Sequence, residues 1–378
     1  MNKTGFYLLS FGAWVIVTFL LIEILFRVFV FTPGSSFQLT YQSITNPKTV
    51  LPYSSAPYLN YINTPNLRDK DGNFEVNSMG IRYPTEIDLK KNDSTLRILF
   101  MGGSTTFGEI DDTFDVFPAL VEKKIKQEYL PNQKRFNNVE CLNAGVHGLT
   151  SAELLTHYQF KYQYLQPHLI VLHTGINDAF AYAKINGSEY QPDYHNSRRV
   201  FYDVRLPNRF ERMLLVSKAF AYALIRIRLT DFLNNSLEKN IFFYYNNDKP
   251  WFTPGNSAIS DTAYNAFYNN LHTLISVAKS RNTPILIVPE VIDTTDMPSE
   301  LAHILTEGLQ LNVSMLYKLA EKHPTVTVDT LPKSEFTPDT YNKTDGIHAS
   351  YKGEQLKAFY LHQFITQKLN SIFNDSKN

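Results

Sequence analysis

At 378 residues the chain exceeds a usual single domain of about 100 to 200 residues and suits a large α/β enzyme carrying insertions. Lys and Arg number 36, as do Asp and Glu, so the formal net charge is zero; with no basic block, the clustered cations that a nucleic-acid partner requires are missing. A lone Cys141 excludes an intramolecular disulfide and a thiolate zinc cluster, and the 10 histidines show no H-E-x-x-H-like spacing, so neither a metal nor a cofactor is expected.

The N-terminus is apolar almost throughout 5–22 and again through 24–31, interrupted only by Glu23 and Arg27. About 20 helical residues cross a hydrocarbon core about 30 Å thick, so this stretch is expected to span one. Glu23 and Arg27 can pair on one helix face, with the long Arg reaching the boundary. A cleaved signal peptide is the rival reading, but its apolar run is about 7 to 15 residues and ends at a small-residue cleavage site, which is missing here. Residues 1–31 therefore read as a signal-anchor. Lys3 precedes the helix and no Lys or Arg occurs between Arg27 and Lys48, which predicts a cytoplasmic N-terminus and an extracytoplasmic remainder.

Residues 32–94 read as linker and N-terminal extension, with 32–60 rich in Pro, Ser, Thr, Asn and Tyr. Within it, 67–82 carries an Asp-Gly turn between short extended stretches, a hairpin pattern. Arg82 at its end is either a solvated surface cation or a residue at the rim of a substrate site. From residue 95 onward, apolar runs near 96–101, 137–142, 168–173, 283–288 and 325–329 alternate with helical patterns near 117–129, 151–164, 261–279, 300–322 and 350–373. Alternation of this kind predicts a parallel five-stranded sheet covered on both faces. An insertion at 179–260 is too long for a βα loop. Within it, 211–233 reads as a helix with a broad apolar face, and Ile241-Phe-Phe-Tyr-Tyr245 and Trp251-Phe252 add aromatic mass. These serve the insertion's own core, an acyl-chain pocket, a sugar-stacking platform or contact with a bilayer.

Three strand ends carry the chemistry. The first apolar strand runs into Gly102-Gly-Ser104-Thr-Thr-Phe-Gly108, which presents a serine hydroxyl at the carboxyl edge of the sheet. A serine needs a base to take its proton and a third group to orient that base. Asp345 and His348, three residues apart in Asp-Gly-Ile-His, suit those roles. Acyl transfer further needs donors aimed at a developing oxyanion. Asn143-Ala-Gly-Val-His-Gly148 and Gly175-Ile-Asn177-Asp178, each after a strand, offer a backbone N–H at Gly148 and a side-chain amide at Asn177.

These four blocks, in this order, resemble those of the SGNH, or GDSL-like, hydrolases. The resemblance runs from about residue 96 to the C-terminus and implies a three-layer α/β/α, flavodoxin-like fold over 95–378. It implies Ser104 as nucleophile, His348 as general base and then acid, and Asp345 as its orienter. The oxyanion hole would comprise the Ser104 and Gly148 N–H groups and the Asn177 amide. The chain departs from the G-D-S pattern in having Gly103 where the family usually has aspartate; glycine versions resemble membrane-attached relatives, as does the Asn-Ser-x-Gly-x-Arg82 segment. The function expected is a membrane-anchored serine esterase acting on an extracytoplasmic glycan or lipid ester. O-acyl transfer to an envelope polysaccharide and a non-catalytic binding or assembly role are the alternatives.

Overall fold

The computed structural model describes residues 3–33, 35, 37–38, 41, 53–68, 76–110, 114–183, 213–223, 226, 261–342 and 345–374. The chain forms two compact units: 1–55 with 201–251, and 56–200 with 252–378.

In the first unit, α1 (Lys3–Leu25) continues into a π-helical turn at Phe26–Val30. The stretch Gly5–Val30 has mean hydropathy 2.3 and is long and apolar enough to cross a membrane. Its apolar side chains, Trp14 and Phe29 among them, are exposed. Glu23 bonds Arg27 Nε at 2.8 Å, and its carboxylate also accepts the Ser217 hydroxyl (2.7 Å) and the N–H groups of Lys218 (2.8 Å) and Ala219 (3.1 Å). Glu23 thus caps the helical turns at 218–223, satisfying N–H groups that have no partner within a helix's first turn. Phe31, Leu215 and Ala221 are buried together beside it. The helix expected over 211–233 is interrupted at 215–217 among its described residues. The aromatic segments at 241–245 and 251–252 lie outside the described residues.

β1 (Tyr53–Ala56) and β2 (Leu59–Asn63) are short strands in what reads as linker, their polar composition hiding them from an apolar-run search. The expected hairpin at 67–82 survives in its arms, where Asn66 and Val76 N–H groups bond Asn77 and Leu67 carbonyls; its Asp-Gly turn lies outside the described residues.

The second unit is built on β3 (Thr95–Gly102). A one-turn helix, α2 (Ser104–Phe107), follows it, then α3 (Phe117–Lys124) with a π-helical continuation to Tyr129. Next come β4 (Asn138–Asn143), α4 (Ser151–Phe160), β5 (Leu169–Thr174) and α5 (Ile176–Ala183). α6 (Asp261–Ser280), β6 (Ile285–Pro289), α7 (Ser299–Lys322), β7 (Val326–Val328) and α8 (Tyr351–Asn374) complete it. The sheet is parallel throughout, in the order β4-β3-β5-β6-β7. Every residue of β3, β5 and β6 is buried, as strands covered on both faces must be. On one face Ile98, Phe100, Val171 and Val288 pack against Phe117 and Val121 of α3 and Leu361 and Ile365 of α8. On the other side α6 packs on α4 and α7, and α7 on α5, completing three layers. Ala179, Phe180 and Tyr182 join Leu305 and Leu309 in a second core cluster, so the start of the segment read as insertion is core helix.

Strand order sets the place of chemistry. The chain leaves β3 for β4 on one side and returns to β5 on the other, so the loops after β3 and β5 part and leave a crevice between them. Ser104 and Asn177 begin the segments that follow those two strands.

Candidate active site

The turn that carries Ser104, the candidate nucleophile, is held at both ends. Gly103, in extended backbone (φ −85°, ψ −152°), ends the strand, and its carbonyl accepts the N–H groups of Thr106 and Phe107 at 3.1 Å, starting α2. At the other end stands Arg82. Its N–H bonds the Asn143 carbonyl at 2.9 Å, and its guanidinium donates to the carbonyls of Phe107 (3.0 Å), Gly108 (2.6 Å) and Ile110 (2.7 Å) while lying over the Phe107 ring. Arg82 is only 2% exposed. It is therefore neither the solvated cation nor the substrate-rim residue expected from the sequence. A planar fork of donors satisfies carbonyls that a one-turn helix leaves open, and that use consumes it.

Ser104 meets its expected partners. Ser104 Oγ and His348 Nε2 are 2.7 Å apart, and the Asp345 carboxylate holds His348 Nδ1. The same carboxylate accepts the N–H groups of Ile347 (2.9 Å) and His348 (3.0 Å), so carboxylate and imidazole are fixed on one turn. Gly346 makes that turn possible: its φ is +64°, and a Cβ there would lie 2.0 Å from the Asp293 carbonyl oxygen. Burial pushes the Asp345 carboxyl up, but hydrogen bonds from His348 and the backbone outweigh it and hold the group below its usual range. For His348, burial favours the neutral ring; the Asp345 hydrogen bond and the Glu109 charge outweigh it and raise its pKa above the ordinary value.

The candidate oxyanion donors converge beside Gly103. A Cβ on Gly103 would lie 2.3 Å from Asn177 Nδ2 and 3.9 Å from the Gly148 nitrogen. Glycine in place of the usual aspartate thus leaves room for the Asn177 amide against the nucleophile turn. Asn177 Nδ2 donates one hydrogen to the Leu149 carbonyl at 3.0 Å, and an amide carries two, so the second remains for an oxyanion.

One residue unforeseen in the sequence stands beside the His348 ring. Glu109, partly exposed, places Oε1 3.3 Å from His348 Nε2 and 3.5 Å from His147 Nε2. Donor atoms of Glu109, Asp345 and His348 all lie within 4.8 Å of one another, which makes these the residues with metal-ligating potential among those described. Asp345 and His348 spend theirs on each other and on Ser104.

The profile of the GDSL-like lipase/acylhydrolase family matches residues 100–356. The chain belongs to that family. This GDSL-like acylhydrolase is thereby placed among enzymes that cleave acyl esters in general. It is similar to a lipase/acylhydrolase from Enterococcus faecalis at 16% identity and TM-score 0.41, over 72% of this chain and 96% of that one. A GDSL-like lipase from Bacteroides thetaiotaomicron is 14% identical with TM-score 0.39, over 72% and 88% of the two chains. An acetyl xylan esterase, AlAXEase, is 13% identical with TM-score 0.38, over 74% and 100%. No curated protein matches the chain significantly.

In this acylhydrolase two buried carboxyls tie the blocks together. Asp178 accepts the N–H (2.9 Å) and hydroxyl (2.6 Å) of Ser151, joining the asparagine block to the glycine block. Glu290, just beyond β6, accepts the Thr105 hydroxyl and the Ile176 N–H (2.5 Å). One carboxylate thereby links the residue after Ser104 to the residue before Asn177. Lys357 Nζ adds a bond to the Thr105 carbonyl at 3.2 Å. Burial raises both acids, Asp178 to about 7 and Glu290 to about 7, against the lowering effect of those hydrogen bonds. The visible signal for both was an acid directly beside a strand end or a site block, as in Ile-Val-Pro-Glu290 and Gly-Ile-Asn-Asp178.

Proposed function

We propose that the protein is a membrane-anchored serine esterase that cleaves an ester or O-acyl group on an extracytoplasmic glycan or lipid through an acyl-enzyme. The observation that carries this reading is the 2.7 Å contact between Ser104 Oγ and His348 Nε2, with Asp345 behind the imidazole. His348 takes the serine proton as Oγ attacks the carbonyl carbon, and Asp345 stabilises the imidazolium. The carbonyl oxygen gains the negative charge, met by the Ser104 and Gly148 N–H groups and the Asn177 amide. Collapse expels the alcohol, which takes its proton from His348 Nε2. Water, deprotonated by the same nitrogen, then releases the acid and Ser104.

The apolar stretch Gly5–Val30 supports an anchor, and the sparse charge around it supports a cytoplasmic N-terminus. The test is labelling of the full-length protein by a fluorophosphonate probe together with short-chain ester hydrolysis. Both are expected in the parent and lost in Ser104→Ala; turnover by a folded Ala variant rejects the mechanism. Resistance to alkaline carbonate extraction tests the anchor, since a spanning helix inserts nearly irreversibly and a peripheral contact does not. Release of intact full-length protein into the carbonate supernatant rejects the anchor.

A further inference from the structure

We infer that Glu109 selects the alcohol side of the ester, favouring alcohols that carry a hydrogen-bond donor or positive charge beside the ester oxygen and rejecting those that carry an anion there. The inference rests on the acyl-enzyme reading above, because that chemistry tells which side of the site Glu109 occupies.

The departing oxygen takes its proton from His348 Nε2, so at that moment it lies within hydrogen-bond reach of that nitrogen. Glu109 Oε1 lies 3.3 Å from the same nitrogen. A substituent two or three bonds from the departing oxygen therefore falls beside the Glu109 carboxylate, whereas the acyl chain, on the other side of the carbonyl carbon, does not. The titratable groups beside this point are His348, His147 and Asp345, and the Lys357 and Arg82 cations act on the two histidines as well. His147 is held neutral by burial, which outweighs the pull of Glu109. Glu109 is itself held ionised, since the neighbouring His147 and His348 outweigh its partial burial. The alcohol thus meets a carboxylate that accepts hydrogen bonds and donates none. At 39% side-chain exposure, Glu109 has room for such a contact alongside its histidine neighbours.

The shared chemistry is a donor or positive charge on the second carbon from the ester oxygen, met in polyols such as sugars and glycerol and in amino alcohols. A hydrogen bond or an ion pair to the ionised carboxylate should raise kcat/KM by about 10-fold or more.

The experiment compares kcat/KM of the full-length protein in detergent on four butyrates: ethyl butyrate, 1-butyrylglycerol, butyrylcholine and butyryloxyacetate. The parent is expected to favour 1-butyrylglycerol or butyrylcholine over ethyl butyrate by about 10-fold or more and to disfavour butyryloxyacetate. The glycerol ester reports a polyol partner and the choline ester a cationic one. Glu109→Gln, nearly isosteric, should retain part of the preference for the glycerol ester and lose both charge effects; Glu109→Ala should lose all three. Ratios cancel whatever Glu109 does to His348 for every ester alike. A parent without preference, or ratios unchanged in Glu109→Ala, overturns the inference while leaving the mechanism standing if Ser104→Ala is inactive. Turnover retained in Ser104→Ala overturns the mechanism instead.

Discussion

On one side of Ser104, Asp345 and His348 come from a single turn, and their contact needs little beyond a three-residue spacing and the positive φ of Gly346. On the other side the candidate donors come from separate strand ends, after β3, β4 and β5. They meet only because those strands are parallel neighbours and because Gly103 leaves room for the Asn177 amide. The proposed proton-handling side is local in sequence and carried by side chains. The proposed oxyanion side is assembled by the sheet and partly by missing side chains. A local pair fails when its own atoms are changed, whereas an assembled cluster also fails when a neighbour that never touches substrate moves.

The largest break is expected from Ser104→Ala, which should lower turnover by about 10⁶-fold with the melting temperature nearly unchanged, because the lost hydroxyl belongs to a site and not to a packed core. Asp345→Asn should cost about 10⁴-fold in kcat by loss of His348 orientation and of support for its cation. Both are read from single-turnover kinetics on a short-chain ester. Should Asp345→Asn be close to neutral, the local half of the comparison is wrong.

The assembled half is tested next. Asn177→Ala should lower kcat by about 10² to 10³ with little change in KM, as for a donor that strengthens in the transition state. An effect on KM alone assigns Asn177 to uniform substrate binding and removes it from the oxyanion hole. Gly103→Asp, which restores the residue usual in the family, should lower kcat as well, because a Cβ there meets Asn177 Nδ2 at 2.3 Å. The double variant Gly103→Asp with Asn177→Ala should be no slower than Asn177→Ala alone, since the two changes damage one thing. Full additivity of the two defects separates the residues and rejects the close-approach argument.

The smallest expected effect is in the pH profile. In the proposed mechanism His348 works as a base only when neutral, and its pKa is raised, so activity should fall as pH drops through a midpoint above its ordinary value of about 6.5. Glu109→Gln removes a charge that raises it and should move the midpoint down. A midpoint that stays put shows that Glu109 does not act on His348.

The same contrast explains what could be read without coordinates. The buried strands were plain as apolar runs, and the Ser, Gly, Asn and Asp-x-x-His blocks stood at their ends, so the fold and the pairing of Ser104 with His348 were accessible from spacing and order. Arg82 was not, because nothing in its neighbours shows that three carbonyls of the nucleophile turn would need donors. Glu290 and Asp178 were visible as acids beside a strand end or a site block, but their partners, 114 or more and 27 residues away, were hidden, because only the sheet order makes them neighbours. Strands β1 and β2 escaped because half-polar short strands carry little periodic signal. The break at 215–217 escaped because helical periodicity on either side reads as continuous.

Glu290 and Asp178 give the scaffold one of two opposed responses to acid. Both are raised to about 7 by burial, from about 4 in an unfolded chain, so between those values the folded protein binds protons that the unfolded chain does not. Their contribution to stability is complete below about 4 and drains away as pH rises through about 7. His348 imposes the opposite sense on turnover, which needs the higher pH. The buried His157, His168 and His173, each lowered to about 3 from about 6.5, act against those carboxyls, because below about 6.5 the unfolded chain takes up protons that the folded protein does not and stability is withdrawn. Acid should therefore idle the enzyme while three buried histidines, set against two buried carboxyls, loosen the fold around it.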